Sequence, residues 1–277
     1  MKNLSRLILA LVLIWGCLVP NDVKADEWIN PGDEKFYFIG GVFLPAFDRA
    51  VRIDNTSIGM GNEIDLESDL GFDDTQTTFY GAGYWRFSPR HRIGLGYFRF
   101  KDESSATAQR ELQIGDEIFP VGASVFSEFS FEIFPINYSY SFIKRENMEF
   151  SGTVGLHWYR ANFKVGGSAS LGKLDLDNEV TAKADIPLPL IGLAFKYNFT
   201  KRWTAGIHAE AFALSIGDYS GSIVNLSPRT EYWFFNHFGA GLALNYFRLD
   251  VEAKSDDWLG ELKYEYWGPQ IYITARF

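Results

Sequence analysis

Cysteine is almost missing from this chain. The single example, Cys17, falls in an N-terminal stretch that reads as a leader. "MKNLSRLILALVLIWGCLVPNDVKADEW" has a basic start (Lys2, Arg6), an apolar run from Leu7 to Val19 and a small-residue cleavage pattern at Val23-Lys24-Ala25. Residues 1–25 are therefore expected to be a cleaved signal peptide, with residues 26–277 as one domain. Bulky Trp15 before Gly16 argues against a lipoprotein box around Cys17. Cleavage after Ala25 would leave no cysteine, which excludes disulfides and thiol chemistry. Long apolar runs are absent too. The leader's own run is too short for a helix across a bilayer, which takes about 20 residues. No later stretch reaches about 18 consecutive apolar residues, so no transmembrane helix is expected. Basic excess is lacking: 26 Lys and Arg face 35 Asp and Glu, for a net charge of -9. Lys2, Arg6 and Lys24 against Asp22 give the leader +2, and removing it takes -9 to -11. Such an acidic chain is a poor partner for nucleic acid, whose phosphates need basic patches.

Aromatic residues are plentiful, with 25 Phe, 14 Tyr and 8 Trp, yet mean hydropathy is only -0.10. That combination spreads apolar residues along one face of many short elements. The dominant period is two. "IGLAFKYNF" sets Ile191, Leu193, Phe195, Tyr197 and Phe199 against Gly192, Ala194, Lys196 and Asn198, and "INYSYSF", "MEFSGTVGLHW" and "FGAGLALNY" alternate the same way. These are strands. Short polar breaks at Ser88–His91, Lys144–Asn147, Thr200–Arg202 and Phe235–His237 join pairs of them. Longer, more acidic connections fall near 46–76, 114–120, 166–182, 216–221 and 254–261. Ten strands result, near 36–46, 77–87, 91–113, 121–143, 148–165, 183–199, 203–215, 222–234, 238–253 and 262–277.

The polar face decides the environment. In a soluble sandwich it would be rich in Lys, Glu and Asp. Here it is rich in Gly and Ala, with single charged or amide residues between them. The apolar face carries aromatics beside the short turns: Trp85, Phe87, Phe142, Phe199, Trp203, Phe234 and Phe277. That pattern predicts an all-β, antiparallel up-and-down transmembrane β-barrel of about ten strands, with eight or twelve as alternatives. Backbone groups in hydrocarbon have no water to bond, so the sheet must close on itself. Changes of phase near Tyr97-Phe98 and Phe134-Pro135 read as bulges, and "FRFKDESSATAQRELQ" with "VGASVFSEFSFEIF" reads as a hairpin rising beyond the bilayer.

The leader, the alternation and a last strand, "GPQIYITARF", ending on Phe277 resemble Gram-negative outer-membrane β-barrels. "IDLESDLGFDD", "YWRFSPRHRIGLGYF" and "IGDEIFPVGASVFSEF" resemble a group of proteobacterial barrel proteins to which no activity attaches. The resemblance implies residence in the bacterial outer membrane, contact with its lipid including lipopolysaccharide, and a role for Phe277 as the signal read by the barrel-assembly machinery.

By parity the lumen collects Glu149, His157, Lys196, His208, Glu210, Arg229, Glu231, Asn245, Gln270, Tyr272 and Arg276, joined by Glu128 and Glu132 from the upper strands. A ten-strand interior is barely wider than its side chains. Charges there must pair, so a polar network over Glu149, Lys196, Arg229, Glu231, Tyr272 and Arg276 is the expected filling. The functional alternative is a barrel-embedded hydrolase built on His157, His208 and Glu210, because a His–carboxylate set can activate water or a hydroxyl. Ten is also the strand count of the omptin proteases, but their Asp pair and Asp-x-His constellation is not found, and "IHAE" is not that motif. Residues 54–76 hold Asp54, Glu63, Asp65, Glu67, Asp69, Asp73 and Asp74 without Lys or Arg. They read as a solvated loop or, more weakly, as a divalent-ion site at Asp65, Glu67 and Asp69. Gly71 and Gln76 break the EF-hand spacing. The turns Arg90–Arg92, Lys144–Arg145 and Lys201–Arg202 read as strand terminators. No cofactor is expected. The expected function is a structural, binding or narrow-pore barrel with long acidic loops outside the cell.

Overall fold

The computed structural model describes residues 28–54, 62–114, 117–171, 174–217, 219–254 and 259–277. The predicted signal peptide lies outside them. The wall is made of β1 (Phe36–Phe43), β4 (Thr78–Ser88), β5 (His91–Thr107), β8 (Ser124–Arg145), β9 (Met148–Leu171), β10 (Leu174–Asn198), β11 (Trp203–Ile216), β12 (Tyr219–Trp233), β13 (Phe238–Lys254) and β14 (Leu259–Arg276). Each pairs antiparallel with the next, and β14 returns to β1 with Tyr37 opposite Arg276 and Phe43 opposite Gln270. Ten antiparallel strands therefore close a barrel with no free edge through its lower half.

One feature of the first strand escaped the periodicity. Residues 46–53 were expected to begin a loop. They form β2 (Ala46–Ile53), which continues the first strand upward along β14 after a break at Leu44-Pro45. The break faces Gly268, where a Cβ would run into the Leu44 carbonyl. The short β3 (Ile64–Asp65) then folds back on β2, and a hairpin of β6 (Leu112–Ile114) and β7 (Glu117–Phe119) lies over the top.

The barrel has two storeys, and the apolar face changes sides between them. In the lower storey, next to the short turns, the outside is apolar: Ile191, Leu193 and Phe195 are 68%, 53% and 38% exposed. The inside holds Asn137, Ser139, Ser151, Thr153 and His157. In the upper storey the inside is apolar, a core that includes Phe100, Phe129, Phe131, Val165, Leu249 and Tyr264. Its outside carries ion pairs: Arg99 with Glu132, Lys101 with Glu128, Arg160 with Asp185, Arg248 with Glu265. The switch falls at one level round the wall. Outside, Tyr97, Phe134, Trp158, Tyr246 and Trp267 each give way two residues on to Arg99, Glu132, Arg160, Arg248 and Glu265; inside, Gly96, His157 and Asn245 give way to Phe98, Tyr159 and Phe247.

This corrects two expectations. Glu128 and Glu132 do not join the lumen: inward parity on β8 belongs to Val125, Phe129, Phe131 and Ile133, and the two carboxylates face out toward Lys101 and Arg99. The expected bulges are also absent there. The register is the same on either side, with Leu95 opposite Ile136 and Phe98 opposite Ile133. What changes near Tyr97 and Phe134 is chemistry, at constant parity. The register shifts instead lie at Arg86/Ser88 and Ser141/Ile143, beside the short turns.

Candidate functional site

The candidate site is the lower lumen. The structure places Glu149, Lys196, Arg229, Glu231, Tyr272 and Arg276 inside it, together with His157, His208 and Glu210. They fall into three groups. In the first, Arg86 of β4 makes a fork onto Glu149 of β9, with both nitrogen–oxygen distances 3.1 Å. Arg92 stands 3.6 Å from the same carboxylate, and Ser141 donates to it. Paired N–H donors in a planar fork are the strong geometry for arginine and carboxylate. Arg92 was expected merely to end its strand, but it turns inward and donates to Ser151 at 2.9 Å.

The second group surrounds Glu231, which accepts from the hydroxyls of Tyr37 and Tyr272. Beside it, the Arg276 guanidinium lies 4.1 Å from the Trp233 ring centre, and its Nε donates to the Asn236 carbonyl at 2.8 Å. The third group is the histidine set. Glu210 Oε1 lies 3.7 Å from His157 Nε2 and 3.5 Å from His208 Nε2, and Asn225 donates to Glu210 Oε2 at 3.1 Å. His157 also bonds Asn137 at 3.0 Å and Tyr159 at 3.3 Å. Among the described residues, neither histidine is hydrogen-bonded to a serine or threonine hydroxyl that could serve as nucleophile.

A segment that sequence reasoning missed closes the short-turn end. Residues 28–35 enter the barrel mouth. Glu34 is almost fully buried there; it accepts from Tyr84 and stands 3.4 Å from Lys196. Asn198 donates to the Pro31 carbonyl at 3.1 Å, and Arg202 lies over Trp28. Lys144, another expected strand terminator, pairs with Asp33 at 3.0 Å. The segment has no periodicity to announce it, whereas Arg86 could have been found from its parity with Tyr84. The last residue is held beside it: Phe277 stacks on His237, with ring centres 5.2 Å apart, and Lys35 and Phe36 donate to its carbonyl.

Above the polar groups, rings from six strands meet across the lumen. Phe43 contacts Tyr266 at 5.3 Å, Phe98 contacts Phe100 at 4.3 Å, Phe131 contacts Tyr264 at 4.2 Å and Tyr159 at 5.9 Å, and Phe247 stacks on Tyr266 at 4.9 Å. Between this layer and the N-terminal segment lies a cavity of about 270 Å³, lined by Arg92, Lys196, His208 and Arg229 among others.

Residues 55–61 of the acidic stretch lie outside the described residues, and the rest, 62–76, is not a solvated loop. Ile64, Leu66, Leu70 and Phe72 insert into the top of the upper core. Asp65 Oδ1 accepts from the Ser68 backbone at 2.6 Å, Glu67 pairs with Arg49 at 2.6 Å, and Asp69 accepts from Arg110 Nε at 2.9 Å. Burial pushes the Glu67 carboxyl up despite Arg49. Burial also acts upward on Asp69, but the Arg110 hydrogen bonds outweigh it and hold that group below its ordinary value. Among the described residues, no group of three or more His, Cys, Asp or Glu is placed to hold a metal ion.

No family model matches the chain, and no curated protein matches it in sequence. Solved structures do match. Over 92% of this chain and all of the other, it superposes on the outer membrane protease OmpT from Escherichia coli with a TM-score of 0.60 at 10% identity. The Pseudomonas putida toluene transporter TodX matches with a TM-score of 0.38 and 12% identity, over 89% of this chain and 91% of that one. OprG from Pseudomonas aeruginosa gives 0.38 and 10%, over 88% and 96%. The fold is that of an outer-membrane β-barrel. At such identity the likeness is one of fold alone. The lower belt accordingly faces hydrocarbon: from Phe150 to Trp158 the exposed side of β9 has the length of a tilted crossing, about 9–11 residues.

Proposed function

We propose that this barrel is a non-conducting, outer-membrane binding or structural protein whose upper storey stands outside the cell. The observation that carries the proposal is the dry layer of rings across the lumen. A porin-type passage needs a water-lined path. Here Phe43, Phe100, Phe131 and Tyr264 are each at most 1% exposed, and the N-terminal segment fills the opposite mouth. What such a build offers is a rigid platform, with a charged outer wall and a roof made of residues 62–74 and the β6–β7 hairpin. With the short turns toward the periplasm, Phe277 sits at the inner interface, in keeping with a role as the assembly signal. Reconstitution into planar bilayers tests the proposal. No conductance steps are expected from the parent, and steps of defined size from the folded parent would overturn it.

The second reading is a hydrolase. It is supported by the convergence of His157, His208 and Glu210, and by the fold likeness to a protein described as an outer membrane protease. The set lies beneath the aromatic layer, out of reach of a polypeptide outside the cell. Peptide or lipid hydrolysis by the parent that is lost in both His157→Ala and His208→Ala would replace the first reading with this one.

A further inference from the structure

Arg229 is an odd residue in its surroundings. It points inward from the middle of the lower storey, and its cross-strand neighbours are Gly206 on β11 and Ala243 on β13. The first has no side chain and the second only a methyl group. The groups whose charges act on it are Tyr272, Tyr37, Glu231 and Tyr80. Yet the carboxylate of Glu231 takes its hydrogen bonds from the two tyrosines, Tyr37 and Tyr272. Arg229 makes no hydrogen bond and no ion pair within 4.0 Å with any described residue. The buried Tyr80 hydroxyl is likewise without a partner. Arg86 and Arg92 are engaged on Glu149, and Arg276 lies over Trp233 and donates through Nε to the Asn236 carbonyl, while its Nη1 and Nη2 have no hydrogen bond.

The charge balance points the same way. The lower lumen holds the cations Arg86, Arg92, Lys196, Arg229 and Arg276 against the carboxylates Glu34, Glu149, Glu210 and Glu231. Among side chains that is five against four, with the Phe277 carboxylate standing at the mouth, and a guanidinium enclosed by protein without a hydrogen bond is costly. The guanidinium fronts the cavity of about 270 Å³, whose wall also brings Lys196, Arg92 and His208. A planar fork with five N–H donors is matched by two oxygens on one centre.

We infer that the lower lumen holds a small oxyanion, a carboxylate or a phosphate, bound by the Arg229 guanidinium where Gly206 and Ala243 leave room for it. A neutral apolar ligand would leave the charge uncompensated. The inference is independent of the role proposed for the upper storey.

The test is refolding from urea into detergent at fixed ionic strength, with inorganic phosphate, acetate or chloride present as the barrel closes. The unfolding midpoint is then read by tryptophan fluorescence, with gel mobility as the check on folding. A ligand bound only by the folded state raises the midpoint with its concentration. A rise with phosphate or acetate, weaker or absent with chloride, is expected for the parent and for Lys263→Gln, which changes the outer wall. In Arg229→Gln the anion concentration needed is expected to increase roughly tenfold or more, as for loss of one charge-assisted contact. Should that variant fail to fold, Tyr80→Phe and Arg229→Lys keep a positive charge and should still weaken the response. An equal rise in chloride, no rise in any anion, or an unchanged response in the variants that fold would overturn the inference.

Discussion

The two halves of one wall solve opposite problems with the same strands. In the lower storey, lipid lies outside, so apolar side chains turn outward and the interior must be filled by polar groups that satisfy one another. In the upper storey, water lies outside, so the charges move out and the rings move in. β9 carries both solutions without a break in parity: Glu149, Ser151, Thr153 and His157 point inward below, and Tyr159, Phe163 and Val165 above. The upper storey is in effect a soluble barrel standing on a membrane one. In that interior Arg49 is fully buried among Phe47, Phe72 and Phe129 and is tied to Glu67 and Asp102.

That contrast can be broken most severely at Arg49. Arg49→Ala leaves the half-buried Glu67 and Asp102 without their cation and opens a void among Phe47, Phe72 and Phe129, a loss expected to cost up to about 3–5 kcal/mol. Limited proteolysis should then cut within 62–74 while the lower barrel keeps its heat-modifiable mobility. Next in size is a pair of substitutions on the outward side of β10. Ile191→Arg puts a charge into the lipid-facing belt and should cost roughly 2–4 kcal/mol in urea unfolding from lipid, if it lies near the midplane. Thr181→Arg, at the same parity in the upper storey, should fall within about 0.5 kcal/mol of the parent. Equal costs at the two sites would remove the distinction between storeys. Smaller still, Glu132→Ala breaks an exposed pair with Arg99 and should cost about 0.2–1 kcal/mol, fading with added salt. The smallest effect concerns acid. Asp69 has a lowered folded-state pKa, so its contribution is present above its ordinary value of 3.8 and is lost as pH falls through the lower folded value. Proteolysis of the 62–74 roof by an acid-active protease should accelerate below that range in the parent and much less so in Asp69→Asn.

Much of the fold could be read from residues alone because membrane strands repeat every two positions and the short turns break that repeat visibly. The inward list from Glu149 to Arg276 came from the same parity. Three things did not. β2 was hidden because its inward triplet is Phe47, Arg49 and Val51, and a buried arginine looks like a solvent-facing one until its partners Glu67 and Asp102, far along the chain, are in place. The apparent bulges were an inversion of environment, which a single strand cannot distinguish from a slip of phase. Glu34 lies in a segment without period, and only the closed barrel creates the mouth it fills.

By itself the sequence determined a closed, antiparallel, membrane-facing wall, because alternation and a small-residue polar face are properties of each strand taken alone. Tertiary structure alone decided that aromatic rings meet across the lumen, that residues 62–74 form a roof with an apolar underside, and that Arg229 lacks a hydrogen-bond partner among the described residues. Those facts depend on which side chains meet across the barrel, and distances across a barrel are set by its closure.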